Sequence, residues 1–205
     1  MNGPLGVFLE IFLLEWLNWQ LVSDEATGHP CHIVSDEFLL ISTDGSQQGG
    51  NGNVVVLLSG QMLGAWLCFP CAAAFWMLHL HPCHTHALYT LQPCEVDLTV
   101  QIFTGFLIES IGMFVSRYAE LAITDPSVTA EINSFINALL TVLGIRFTGM
   151  YLNPMCAAAC IWNCTGLSPK GHIAVYWLSC FLGWFLAERL YQKSHCILVK
   201  CLQYV

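Results

Sequence analysis

Asn153-Pro154-Met155 lies between two hydrophobic stretches, Ile145-Arg146-Phe147-Thr148-Gly149-Met150-Tyr151-Leu152 before it and Cys156-Ala157-Ala158-Ala159-Cys160-Ile161-Trp162 after it. Asn followed by Pro at a first helical turn is a helix start. The Asn side chain accepts a free backbone N–H, and Pro has none to leave unpaired. A helix that begins where the surrounding pattern predicts lipid aims its remaining N–H groups into the membrane interior. That is tolerated only where the chain lines a water-filled cavity or is buried in protein. His29-Pro30-Cys31 opens a second short apolar piece in the same manner. Alone it reads as a turn. Paired with the first motif, it matches the two interrupted half-segments of an inverted-repeat transport fold with its site at the midplane.

Other residues could also carry chemistry. Glu109 lies inside an apolar run and must face the interior of a bundle to be tolerated there. Arg146 also lies inside such a run, either near a pore wall or paired with Glu109. His79, His81, Cys83, His84 and His86 form a tight cluster of donor types that suit Zn or Cu. Their spacing fits no closed metal-site pattern and Pro82 interrupts it, so the segment reads as a solvent-exposed loop. A metal-binding membrane protein is the rival function class built on that cluster. No paired-carboxylate motif and no nucleophile–base signature stands out, so the chain reads as a non-enzyme without cofactor or metal.

The elements that must position these residues follow from composition. The 205 residues are 56% hydrophobic and only 10% charged, with a mean hydropathy of +0.61. A soluble domain is nearer one quarter charged. The chain therefore reads as an all-α, multi-pass membrane protein whose first partner is the lipid bilayer. The net charge of −8 lacks the basic footprint of a nucleic-acid binder. No basic segment followed by a small-residue cleavage site marks a signal peptide at Met1. Several of the eleven cysteines lie inside apolar runs (Cys68, Cys71, Cys156, Cys160, Cys180), where a thiol behaves as a small hydrophobe. Cys83 and Cys94, within one loop, are the pair available for a disulfide.

A crossing helix needs about 20 mostly apolar residues. Five candidates meet this: Leu5 to Leu21 (interrupted by Glu10 and Glu15), Val54 to Leu80, Val96 to Val115, Ile132 to Leu152, and Ile173 to Leu190. Cys31 to Ile41 and Pro154 to Trp162 are each about half a span, as re-entrant segments are. Residues 45–53, rich in Gly and Asn, read as a linker. Arg189, Lys193 and Lys200 put the C-terminus in the cytoplasm by the positive-inside rule. The connection 117–131 is then cytoplasmic as well. The 79–95 loop, free of Lys and Arg, and the 163–171 loop face away. Asn163-Cys164-Thr165 is a glycosylation acceptor pattern on that far side, close to the membrane.

These residues resemble the aquaporin family, and within it the divergent superaquaporin branch. Thr148-Gly149-Met150-Tyr151-Leu152-Asn153-Pro154 has the spacing of the family's second pore loop. Cys164, nine residues after Met155, is similar to the cysteine that marks that branch. Val175-Tyr176-Trp177-Leu178 with Gly183 resembles its last helix, Phe106-Leu107-Ile108-Glu109-Ser110-Ile111-Gly112 the glutamate-bearing fourth helix, and Gly60-Gln61-Met62-Leu63-Gly64 the third. The resemblance spans 54–191 and is strongest after Phe103. Upstream, His29-Pro30-Cys31 with Glu37-Phe38-Leu39 resembles the first pore loop. Leu5 to Leu21 then takes the second-helix place and the first helix is missing, as in a short isoform, a gene-model error or a fragment. Glu10 offers the rival placement, because the family's first helix also carries a glutamate.

The resemblance implies a single domain over 1–205. Residues 1–53 are the remnant of a first half-repeat, 54–191 the best-matching region and 192–205 a cytoplasmic tail. It implies an aquaporin-like right-handed helical bundle with about five full spans and two re-entrant half-helices, opened by His29, Pro30, Cys31 and Asn153, Pro154, Met155. Two helix ends, each with about half a positive charge, oppose cations and let neutral water pass. Glu109, Gly149 and Cys164 would support the second loop, Glu109 by accepting backbone hydrogen bonds. Counting offsets places the outer filter at Leu9, Thr141, Met150 and Cys156, with Cys156 where the family normally has Arg. Such an apolar filter admits glycerol or hydrogen peroxide as well as water. The family also implies a homotetramer, and the branch implies the endoplasmic reticulum or another intracellular membrane. The alternative reading is a non-conducting truncated relative that acts as a partner or regulator of full-length subunits.

Overall fold

The computed structural model describes residues 3–21, 28–35, 51–90, 94–123 and 125–202. They form α1 (Pro4–Leu21), α2 (described over 30–35), α3 (Asn51–Trp76), α4 (Pro82–Thr90), α5 (Ile102–Ala122), α6 (Pro126–Thr148), α7 (Pro154–Ile161), α8 (Pro169–His172) and α9 (Ser179–Leu202). A π-helical turn, Ile173–Leu178, joins the last two. Among the described residues the only extended pairing is one isolated bridge, Glu95 with Thr165.

The distribution of side chains is that of a membrane protein. Leu57, Trp66, Phe103, Leu143 and Leu178 are exposed, while Glu109, Ser134, Thr148 and Ser179 are fully buried. In water this arrangement would be costly; in lipid it is the arrangement that hydrocarbon demands. Among the described residues three helices, Val54–Trp76, Val128–Thr148 and Pro169–His195, are long and apolar enough to cross a bilayer. The 18-residue α1 and the 21-residue α5 also have spanning length and contain charged residues within it, Glu10 and Glu15 in the first and Glu109, Arg117 and Glu120 in the second. The chain is an all-α membrane protein.

Small residues let the helices approach. A side chain at Gly183 of α9 would run into the Ser110 carbonyl oxygen and come within 2.9 Å of the Met113 Cβ, so glycine is what seats α5 against α9. The Ser110 hydroxyl donates to the Ser179 carbonyl at 3.1 Å across the same contact. Gly112 of α5 and Gly144 of α6 both leave room for the Met150 side chain. Ser116 donates to the Asn137 side chain at 2.6 Å between α5 and α6. α1 packs on α6 through Phe8 and Phe135, whose rings meet edge to face at 5.4 Å. The Trp16 indole N–H donates to Glu131 at 3.4 Å in the same contact.

Several expectations from the sequence change. Cys83 does not pair with Cys94: Cys94 is bonded to Cys164, 70 residues away, and Cys83 is free. The 79–95 stretch is not all loop, since Pro82–Thr90 is helical. The third span starts at Ile102 rather than Val96, because residues 94–96 are held against Thr165 by the backbone bonds Val96 N–H to Thr165 O and Thr165 N–H to Cys94 O, each 3.0 Å. The fourth ends at Thr148 rather than Leu152, because Gly149, Met150 and Leu152 take positive φ. α9 continues through the start of the expected tail to Leu202. Glu37-Phe38-Leu39, and residues 45–50 of the linker, lie outside the described residues.

Candidate functional site

Asn153 precedes α7 in extended backbone, and its side-chain Oδ1 accepts the Met155 N–H at 2.9 Å. Pro154 fills the first helical position and is fully buried. His29 does the same for α2: its Nδ1 accepts the Cys31 N–H at 3.2 Å. An imidazole nitrogen thus replaces the amide oxygen of the other motif. Cys31 is fully buried.

The two motifs are also tied to each other. The His29 Nε2 donates to the Leu152 carbonyl at 2.9 Å, and the Asn153 Nδ2 donates to the Gly28 carbonyl at 3.1 Å. Each capping side chain therefore closes its own helix start and binds the residue just before the other. Because Nδ1 accepts and Nε2 donates, the His29 ring is the neutral tautomer with its proton on Nε2.

In the loop leading to Asn153 the N–H groups of Met150, Tyr151 and Leu152 each have a side-chain acceptor, as buried polar groups require. Glu109, fully buried on α5, accepts Tyr151 N–H at 3.3 Å with one carboxylate oxygen and Leu152 N–H at 3.0 Å with the other. Met150 N–H goes to the Thr148 hydroxyl at 3.1 Å, and the Thr148 carbonyl accepts the Tyr176 hydroxyl at 2.8 Å. The Tyr151 hydroxyl donates to Asp97 at 2.5 Å. Gly149, at φ +84°, makes the turn out of α6; a side chain there would also strike Tyr151. At the far end of α7 the Cys94–Cys164 disulfide, with Cα atoms 5.0 Å apart, fastens the post-helix loop to the segment before α5.

The other sequence candidates fall in different places. Met150 is buried with Cys31, Met113, Leu152, Cys180 and Trp184 in one core cluster. Leu9 on α1 and Cys156 on α7 are exposed. Thr141 is half-buried on α6, and its hydroxyl donates to the Asn137 carbonyl at 2.8 Å. Arg146 is exposed in the last turn of α6, apart from the Glu109 carboxylate, which is engaged with the loop. A cation suits that helix end. In the histidine-rich segment, His81 Nδ1 accepts the Cys83 N–H at 3.2 Å and His79 Nδ1 lies 3.0 Å from the Thr85 hydroxyl. Those nitrogens are used within the segment. Among the described residues, no three or more His, Cys, Asp or Glu side chains converge as a metal ion would need.

One signal and one network lie outside the sequence expectations. The signal is that His-Pro-Cys-His occurs twice, at 29–32 and 81–84, and both copies start a helix with the same imidazole cap. The network joins α2, α5 and α9. Glu188 accepts the Ser35 hydroxyl with one oxygen and the Arg117 guanidinium at 2.9 Å with the other. Arg117 also pairs with Glu120 at 2.9 Å.

Comparison with curated proteins gives four related chains, all aquaporins by name. Aquaporin-11 of Milnesium tardigradum is 26% identical over 122 residues, which is 60% of this chain and 44% of the relative. Putative aquaporin-12A of Homo sapiens is 24% identical over 192 residues, covering 93% and 62%. Putative aquaporin-10 of Caenorhabditis elegans is 27% identical over 143 residues, covering 66% and 49%. The chain thus spans less than two thirds of the length of each relative. No family model and no solved structure matches it. Taken with an all-α membrane fold and two proline-led helix starts bound to each other, these relatives make the chain a divergent relative of the aquaporins, of the superaquaporin type.

Proposed function

We propose that the chain is a passive membrane channel for water and small neutral solutes, with glycerol and hydrogen peroxide within its range. The reciprocal bonding of His29 and Asn153 carries this reading. Two short helices that start at bilayer depth need a polar surrounding for their free N–H groups, and a file of neutral solute supplies one. The Asn153 amide has a second N–H beyond the one given to Gly28, available to a passing oxygen. The His29 ring nitrogens are both occupied, so His29 acts in the frame of the pathway and Asn153 at its wall. Cys156 sits one turn into α7 without charge, which suits uncharged solutes larger than water.

In this reading α1, α3, α5, α6 and the helix from Pro169 cross the bilayer, and α2 and α7 enter from opposite faces. A disulfide persists in an oxidising compartment. The Cys94–Cys164 end therefore faces the lumen or exterior, and the Arg189 and Lys193 end of α9 faces the cytoplasm, in agreement with the positive-inside rule. The endoplasmic reticulum membrane and a homotetramer complete the proposal. A second reading, a non-conducting partner of other subunits, draws on α3: none of its spanning window is buried, and Val55, Val56, Leu63 and Trp66 are exposed, so the faces turned away from α7 are available to neighbours.

Proteoliposomes holding the purified chain test the proposal. Under osmotic, glycerol and hydrogen peroxide gradients, the channel reading expects permeability above protein-free vesicles for at least one solute. Background rates for all three would refute it and favour the partner reading.

A further inference from the structure

Histidine is a proton shuttle wherever its ring can give up one proton and take another. A histidine at a pore motif is thus a chemical liability that an asparagine is not. The structure surrounds His29 with contacts that remove this freedom. Its Nε2–H is on the Leu152 carbonyl and its Nδ1 on the Cys31 N–H. The Trp184 indole, almost fully buried, stacks on the imidazole at 5.0 Å between centroids with the planes 29° apart. The same indole meets His32 edge to face at 6.0 Å. Arg117 places its guanidinium carbon 4.0 Å from the Trp184 ring centre, a cation–π contact that strengthens away from water. Arg117 is fixed in turn by Glu188 and Glu120, and Glu188 holds Ser35 on the helix that His29 caps. The contacts close a ring: His29, α2, Ser35, Glu188, Arg117, Trp184 and back to His29.

We propose that Trp184 and Arg117 are positioning residues that lock the His29 imidazole between the two motifs and so deny it to permeating protons. Relay through the ring requires Nε2 to release its proton to a water and Nδ1 to take one up. Each nitrogen would have to leave a backbone partner, and turning the ring would drive it into the indole. Trp184 supplies the surface that prevents turning. Arg117, held by Glu188 and Glu120, fixes the indole from behind. This inference rests on the channel reading for its consequence, though not for its geometry.

The test measures both. Diethyl pyrocarbonate acylates a free imidazole nitrogen, and peptide mass spectrometry of the full chain in liposomes reads each histidine. Exposed His79 and His81 serve as internal references. His29 should stay unmodified in the wild type and in Trp184→Phe, which keeps an aromatic face. In Trp184→Ala it should lose protection and react at the rate of the references. Trp184→Leu, which keeps apolar volume without an aromatic face, is expected to lose it too and provides the reading if Trp184→Ala fails to form the Cys94–Cys164 bond. A pH-sensitive dye inside the vesicles should report a proton leak in whichever of these variants exposes His29, absent from that variant once His29→Asn is added. Equal modification of His29 in the wild type and the two non-aromatic variants, or protection retained in both, would overturn the lock. So would exposure of His29 without a proton leak in a variant that still passes water. A wild type with no water permeability but a protected His29 would sink the channel reading and leave the lock standing as a structural device.

Discussion

His29 and Asn153, 124 positions apart in the chain, use the same two hydrogen bonds in mirror fashion. Each caps the helix two residues ahead, and each donates to the carbonyl that immediately precedes the other. The two short helices are thereby joined start to start through side chains, and neither cap can be removed without loosening the opposite loop.

Asn153→Ala deletes both bonds at once. The cap contributes about 1 kcal/mol, and the bond to Gly28 adds about 1 kcal/mol more. Thermal unfolding in detergent should show the combined loss. His29→Asn, which can restore the i+2 cap but reaches less far toward Leu152, should lose about half as much.

Glu109→Gln replaces a two-oxygen acceptor by one oxygen and an amide donor. One of the Tyr151 and Leu152 N–H groups is then left facing a donor while buried, at a cost of about 1–3 kcal/mol. Glu109→Ala leaves both unpaired and should be worse. Ranking the melting temperatures of the wild type, Gln and Ala forms checks the order; an Ala form as stable as Gln would contradict the role assigned to the carboxylate.

Cys94→Ser and Cys164→Ser should each abolish the same shift between reducing and non-reducing gels, and Cys83→Ser should leave it. Loss of the bond is expected to destabilise the chain by about 2–5 kcal/mol. A membrane-impermeant thiol reagent applied from the cytoplasmic side should fail to reach the thiol left unpaired by either variant.

Gly183→Ala forces α5 and α9 apart where the new methyl would meet the Ser110 carbonyl. Overpacking of this kind costs about 1–3 kcal/mol. The same change at Gly60 or Gly64, which have nothing within 4 Å, should be nearly neutral in the isolated chain. Detergent melting curves of the three variants make the comparison.

What could be read from the sequence was what is local. The Asn153 cap joins residues two apart, and the Pro that follows makes it visible without a structure. An interior place for Glu109 follows from the cost of a charge in lipid, and acceptance from the second loop's backbone from family resemblance, but that Tyr151 and Leu152 are the donors shows only in the fold. The disulfide was not legible. Cys164 stood out, but its partner is 70 residues away, and only the meeting of two loops selects Cys94 over Cys83. The Ser35–Glu188–Arg117–Trp184 network draws on three helices, and each member alone reads as an ordinary polar or aromatic residue near a helix end. α4 has no strong apolar period, and its start lies within a run of histidines, marked only by the repeat of His-Pro-Cys-His. Met150 falls at a filter position by counting, yet two glycines on neighbouring helices open a slot that takes its side chain into the core.

The central claim is that solute passes beside the two joined helix starts. Stopped-flow light scattering on proteoliposomes tests it most directly, comparing the wild type with Asn153→Trp, which fills the space beside both motifs, at equal protein density and with the Cys94–Cys164 bond confirmed in each. The account predicts water permeability above lipid background for the wild type and background for the filled variant. A wild type at background, or a filled variant as permeable as the wild type, would contradict it.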